Sequence, residues 1–173
     1  MATLWLQNQM AMEFARTVTA QPAEADDSWL RQSTRSFFLF GPPHSRIGDT
    51  LRLLLIAVFG AVGTLTRYGL QGLVQVRAAS TFPWGTLLVN LTGCFFLGLI
   101  GQIMLNRMMV SSELRVAIAV GFFGGYTTFS SFGWEAAKML EAGEWLRSMT
   151  CVAASVLFGL LLSAMGIRLA NRF

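Results

Sequence analysis

Gly121-Phe-Phe-Gly-Gly-Tyr-Thr-Thr-Phe-Ser-Ser-Phe-Gly-Trp-Glu135 lies inside a stretch apolar enough to cross a membrane. Yet it holds an adjacent pair of glycines and four Ser/Thr hydroxyls among its aromatics. Adjacent glycines weaken a helix, because glycine loses the most backbone freedom on folding. In a bilayer the freed N–H and C=O groups must find partners within protein or in a wet cavity. A helix broken at mid-membrane therefore presents carbonyls that bind an ion. The run predicts an interruption near Gly124–Thr128, and an ion pathway in place of an enzyme cleft.

The rest of the chain supports a membrane setting. Of its 173 residues, 54% are hydrophobic and 13% charged, against about 25% charged in a soluble domain. Charge is absent from Leu53–Thr66, Pro83–Asn106, Val116–Trp134 and Ser148–Ile167. A spanning helix needs about 20 mostly apolar residues. The first stretch is short, but Arg52 and Arg67 flank it and can snorkel their stems to the interface. The pattern predicts an all-α integral membrane protein with four transmembrane helices, at Asp49–Val76, Pro83–Arg107, Ser112–Glu141 and Glu144–Asn171. Pro83 suits the first turn of the second helix, and Ser112 suits a cap for the third.

Residues 1–48 differ in kind. They carry Pro22, Pro42 and Pro43, the acidic cluster Glu24, Asp26 and Asp27, and the chain's one histidine, His44. Phe37–Phe40 is too short to span, and the segment lacks the basic start, apolar core and cleavage site of a signal peptide. It reads as a flexible N-terminal extension before a membrane domain at 49–173.

The net charge of +4 does not indicate nucleic acid, because the arginines are scattered at helix ends with no basic patch or nucleic-acid motif. Cys94 and Cys151 sit in apolar spans, where single cysteines act as small hydrophobic packers. They make neither a disulfide framework nor a zinc site.

Short connections make neighbouring helices antiparallel and put both membrane-domain ends on one side. That side carries Arg46, Arg52, Arg107, Arg115, Arg168 and Arg172; the other carries Arg67, Arg77, Lys138 and Arg147. So slight a bias under the positive-inside rule permits insertion in both orientations. An antiparallel homodimer is the natural consequence.

No carboxylate lies in the middle of a span, whereas proton-coupled transporters use intramembrane Asp, Glu or His. The spans offer neutral polar groups, which favours a passive pathway. On the second helix Thr86 and Asn90 stand four apart and share a face, extended by small Gly93 and Cys94. Asn90 brings two N–H donors and Thr86 one O–H. Two readings fit: helix–helix glue, or a donor set for a desolvated anion. On the third helix Phe129 and Phe132, three apart, share a face. Their ring edges are electropositive and can flank a small anion, while Ser130 and Ser131 can line a polar track beside them. The alternative for both rings is plain packing. Arg67 either draws anions toward a vestibule or anchors its helix at the interface. Glu135 ends the charge-free core of the third helix and either orients local water or marks the interface.

Together these residues resemble the Fluc (CrcB) family of fluoride channels. Gly60-Ala-Val-Gly-Thr-Leu-Thr-Arg-Tyr68 is similar to its first-helix pattern, Gly85-Thr-Leu-Leu-Val-Asn-Leu-Thr-Gly93 to its second, and Gly121–Glu135 to its helix break and phenylalanine motif. The resemblance covers about Arg52 to Phe173. It implies a bacterial inner-membrane channel that exports cytoplasmic fluoride passively. It also implies an antiparallel dual-topology homodimer with two pores and a structural Na+ at the crossing of the broken helices. By motif position, Gly124 and Thr127 supply carbonyls to the sodium ion. Asn90 donates to fluoride, Phe129 and Phe132 form an aromatic box, and Ser130 and Ser131 line the polar track. Arg67, Thr86 and Glu135 match vestibule or pore-supporting positions, and Ser155 matches a fourth-helix hydroxyl. Tyr126 departs from the pattern, standing where an aliphatic residue is usual. Ser131 replaces a common threonine, and Gly133 a small polar residue.

Other classes fit less well. A small four-helix multidrug exporter would want a membrane carboxylate on the first helix. An inert membrane scaffold needs neither a donor-rich second helix nor a broken third. An intramembrane hydrolase lacks a core histidine as base, and a phosphate-binding enzyme lacks the P-loop lysine.

Overall fold

The structure, a computed structural model, describes residues 46–107 and 110–173, all within the compact unit Phe38–Phe173. The expectations for residues 1–45 of the extension, including its acidic cluster and His44, lie outside the described residues, whereas its last three positions, 46–48, are helical and open the first span. Among the described residues every regular element is helical. Four helical stretches are long and apolar enough to cross a membrane: Thr50–Ala78, Trp84–Arg107, Ser112–Glu141 and Trp145–Ala170.

Helix α1 runs Arg46–Ala78, and α2 runs Trp84–Arg107. Between them the chain turns through Ala79, whose φ of 46 is left-handed. One side chain closes this corner. Gln75 donates through Nε2 to the carbonyls of Ser80 (2.6 Å) and Phe82 (3.1 Å), and its Oε1 accepts from the Gly85 amide at 3.2 Å. The last bond serves an otherwise orphan donor at the start of α2. Pro83 precedes the first helical residue, and its carbonyl accepts from Leu87 N–H at 3.0 Å.

The third span changes character along its length. It comprises α3 (Ser112–Val116), a π-helical segment (Ala117–Phe123), the single turn α4 (Gly124–Tyr126) and α5 (Phe129–Glu141). Its N-cap is Ser111, whose hydroxyl accepts from the Leu114 amide at 3.3 Å. The expected cap, Ser112, instead donates to Glu113 at 2.8 Å. Arg52 of α1 pairs with Glu113 at 3.9 Å, joining the two spans.

Between α4 and α5 the backbone is extended at Thr127 (φ −83, ψ 158) and Thr128 (φ −148, ψ 117). The glycine pair is not where the helix unwinds, since Gly124 has helical angles of −65 and −36. β-Branched threonines are stiff at χ1 and favour extended backbone, so the unwinding falls on them. Gly125 is needed for closeness. A Cβ there would stand 2.6 Å from the Gly60 carbonyl oxygen and 3.0 Å from Thr64 Oγ1 of α1.

Helix α6 (Trp145–Ala170) comes after a turn at Gly143, where φ is 77. Among the described residues it packs along α2 more extensively than any other pair of elements meets. Gly166 makes this possible: a Cβ there would overlap the Phe95 carbonyl and lie 2.7 Å from the Leu99 amide. Small residues that let backbones approach are the usual basis of helix association in lipid. At the other end of α6, fully buried Ser148 donates to the Ala136 carbonyl of α5 at 2.9 Å.

Candidate functional site: a polar seam between the second and third spans

Three polar residues of α2 each meet a polar partner on the third span. Thr86, fully enclosed, donates from Oγ1 to Glu135 Oε1 at 2.9 Å and accepts from Gln71 Nε2 of α1 at 3.0 Å. Asn90, one turn on, holds both backbone groups of Thr128. Its Nδ2 donates to the Thr128 carbonyl at 2.9 Å, and its Oδ1 accepts from the Thr128 amide at 2.8 Å. Thr92 shares a 2.8 Å hydrogen bond with the hydroxyl of Tyr126.

The Asn90 pair explains how an extended residue survives here. An unpaired backbone group in an apolar setting costs about 1–3 kcal/mol. Asn90 offers an acceptor and a donor in the spacing of a peptide: the acceptor replaces the helical partner that the Thr128 amide lacks, and the donor adds to the first bond of α5 at the carbonyl. An amide carries two N–H bonds on its nitrogen. One is spent on Thr128, and the other remains for a further acceptor.

Thr128 is also the N-cap of α5. Its Oγ1 accepts from the Ser131 amide at 3.2 Å and donates to Ser131 Oγ at 3.0 Å; exposed Ser130 Oγ lies 3.4 Å away. The hydroxyl run thus forms one connected cluster at a helix N-terminus, where the positive end of the backbone dipole lies.

These bonds divert amides that a continuous helix would use. Gly124 O would accept from Thr128 N–H, and Thr127 O from Ser131 N–H. The first amide goes to Asn90 and the second to the Thr128 hydroxyl. The intervening Gly125 carbonyl accepts instead from Arg67 Nε at 3.0 Å, across 58 residues of sequence. Arg67 is therefore an anchor for the α4 turn. Arg67→Met should lower the melting temperature of the detergent-solubilised protein by a few degrees, because loss of the donor leaves that carbonyl unpaired at about 1–3 kcal/mol. An unchanged melting curve would count against the anchor.

The two phenylalanines share a flank of α5 but differ in burial. Phe132 is 9% exposed, packed with Met139, Cys151, Phe82 and Val152, whereas Phe129 is 83% exposed. Their ring centroids are 5.5 Å apart at an interplanar angle of 54°. Within one chain the rings therefore touch each other, and Phe129 leaves most of its surface uncovered.

Glu135 faces two ways. Oε1 belongs to the seam, while Oε2 is buried without a hydrogen-bond partner among the described residues. The side chain lines an open cavity of about 440 Å³ with Gln75, Thr81, Pro83, Trp134 and Lys138. Ser155, on α6, has a buried hydroxyl beside Cys151 that likewise makes no hydrogen bond of ordinary geometry.

The seam thus joins Thr86, Asn90, Glu135 and the Thr128–Ser131 cluster, with Arg67 and Gln71 attached from α1. The sequence pattern marked Thr92 only as one of the neutral polar groups of the spans, and singled out neither Gln71 nor the capping role of Thr128. Signals existed for the last two: Gln71 stands four residues after Arg67 on the same helix face, and a threonine just before an apolar helical run is an N-cap signature.

Comparison with known proteins places this architecture. Residues 54–167 match the family model described as CrcB-like protein, Camphor Resistance (CrcB). A protein of Geobacter sulfurreducens named fluoride-specific ion channel FluC is 47% identical over 120 residues, covering 69% of this chain and 97% of the relative. Proteins of the same name from Geobacter metallireducens and Thermus thermophilus are each 43% identical, over 121 and 120 residues. The first covers 70% of this chain and 98% of the relative; the second covers 69% and 95%. With four helices fit to span a bilayer and a family match through all of them, the chain is a multi-pass bacterial membrane protein that belongs to the CrcB-like family.

Proposed function

We propose that this protein is a fluoride-specific channel, not an enzyme, and lets cytoplasmic fluoride leave the cell down its gradient. The observation that carries the reading is the Asn90–Thr128 pair: a donor-bearing side chain built into an interrupted span, with one amide hydrogen to spare. The names of the relatives agree with it.

Fluoride is small and strongly hydrated, so a pathway must replace its water shell with close donors. Asn90 Nδ2 and the Ser130, Ser131 and Ser155 hydroxyls supply neutral donors along α2, α5 and α6. Thr86 is held in place by Gln71 and Glu135. None of the donors carries a full positive charge, so the ion is bound without being trapped, as conduction demands. The cavity beside Glu135 and Lys138 forms an aqueous approach to this row.

The functional unit is an antiparallel dual-topology homodimer, with the unwound Thr127–Thr128 segment at mid-membrane. Exposed Phe129 supports this, since its ring edge awaits a second surface. Its edge, with that of Phe132, flanks the anion once a second copy covers it. The carbonyls of Gly124 and Thr127, whose helical donors are diverted, suit a structural sodium ion near the dimer axis. Oxygen-only donors favour such a hard cation over transition metals. The ion would stabilise the pairing, and transport needs no turnover at it.

The decisive experiment is efflux from liposomes holding the purified protein, read with fluoride-selective and chloride-selective electrodes. Rapid fluoride loss without chloride loss is expected, and equal fluxes would remove the assignment. In the same assay Phe129→Leu and Phe132→Leu should each cut fluoride flux about tenfold or more, because leucine fills volume without an electropositive edge. Full flux in both folded variants would return the rings to packing. Reporters fused to the C-terminus should signal from both sides of the membrane; a single orientation would contradict the antiparallel pair.

A further inference from the structure

The one-turn element α4 consists of Gly124, Gly125 and Tyr126. Two of its three residues have no side chain. Tyr126 therefore supplies the turn's own side chain, by which the core can set its rotation. Its ring is well gripped. It is buried with Val89 and Phe123, and it stacks on Phe122 at a centroid distance of 5.9 Å and an angle of 8°. At its tip the hydroxyl lies 2.8 Å from Thr92 Oγ1.

Donor counting gives the direction of that bond. A threonine hydroxyl has one proton and two lone pairs. Thr92 Oγ1 lies 2.8 Å from the Leu88 carbonyl and 3.1 Å from that of Val89, and its proton serves them. Tyr126 must then donate, and Thr92 accept. The tyrosine hydroxyl is thereby tied to the backbone of α2 through a hydroxyl that is itself fixed.

We propose that Tyr126 is a positioning residue: its hydrogen bond to Thr92 aims the Gly124 and Thr127 carbonyls and so tunes their affinity for a hard monovalent cation. The inference rests on the sodium reading above. Arg67 restrains the same turn from the α1 side through the Gly125 carbonyl at 3.0 Å. The turn is thus gripped from α1 and α2, while the Gly124 and Thr127 carbonyls, whose helical donors are diverted, stay open to the cation. An aliphatic residue at 126 would fill the same core without this tie. The bond is therefore a feature of this chain's own sequence.

The test uses the full-length protein in detergent, freed of sodium by exchange into N-methylglucamine buffer. Thermal melting is then monitored as sodium chloride is added back. The variants are Tyr126→Phe, Thr92→Val and the double substitution; each keeps the shape and removes a hydroxyl. The sodium concentration for half-maximal stabilisation should rise about fivefold in either single variant, as loss of one hydrogen bond implies. It should rise no further in the double variant, because both single changes break the same bond. A purely structural bond would lower the melting temperature equally at every sodium concentration and leave the half-maximal point unmoved, which overturns the proposal. A native protein whose melting ignores sodium altogether would instead overturn the sodium reading, and this inference with it.

Discussion

Asn90→Ala should lower fluoride efflux by at least about tenfold, and Asn90→Asp by as much or more. Alanine leaves the amide of Thr128 without its partner at 2.8 Å and takes from its carbonyl the 2.9 Å donor that supplements the first helical bond of α5. An unpaired amide costs about 1–3 kcal/mol in an apolar setting, and each 1.36 kcal/mol on a barrier is a factor of ten in rate. Aspartate keeps an acceptor for the Thr128 amide but sets an oxygen against the Thr128 carbonyl. It also brings a negative charge to a pathway for anions. The two variants should differ in stability: aspartate retains one of the two bonds, and alanine neither. Flux is measured with a fluoride electrode and folding by thermal melting. Full flux in both variants would reduce Asn90 to helix–helix glue.

Gly93→Ala should be nearly as damaging, through packing. A Cβ at residue 93 would overlap Thr127 Cγ2 and come within 3.3 Å of Tyr126 Cδ1. Threonine is rigid about χ1, so the collision pushes the Thr127 backbone, and with it the carbonyl proposed for sodium. Overpacking of this kind costs about 1–3 kcal/mol. The cause can be isolated by a second change. Thr127→Ser removes the colliding methyl and keeps the hydroxyl that donates to the Phe123 carbonyl at 2.9 Å. The double variant Gly93→Ala/Thr127→Ser should recover much of the lost melting temperature and flux. No recovery would show that Gly93 matters for some reason other than Thr127.

The seam was legible in the sequence by composition and only partly by arrangement. Asn90 and Thr86 stood out as polar groups four apart in a charge-free helix, and the structure places both against the third span. Their partners were not legible. Nothing local says that Asn90 would hold both backbone groups of Thr128, or that Thr86 would bridge Gln71 and Glu135, because these contacts join residues 15 to 49 positions apart. Arg67 was read as a lure for anions or an interface anchor; in the structure it grips a carbonyl of the α4 turn. The glycine pair shows the same limit. Its sequence suggests a flexible break, but a helical Gly124 and a Gly125 pressed against Gly60 put the unwinding on the next two residues.

By itself the sequence determined the features that solvent and periodicity dictate. Four long apolar stretches must become helices in lipid, since only internal hydrogen bonding satisfies their backbones there. Polar groups spared in those stretches marked the candidate face, and the motif order was enough to point to the family. Tertiary structure alone decided where the backbone unwinds and which groups satisfy it. An extended residue inside an apolar span is stable only where another helix brings a matching donor and acceptor. That condition is met at Thr128 because α2, held close by Gly93, carries Asn90 to the right height.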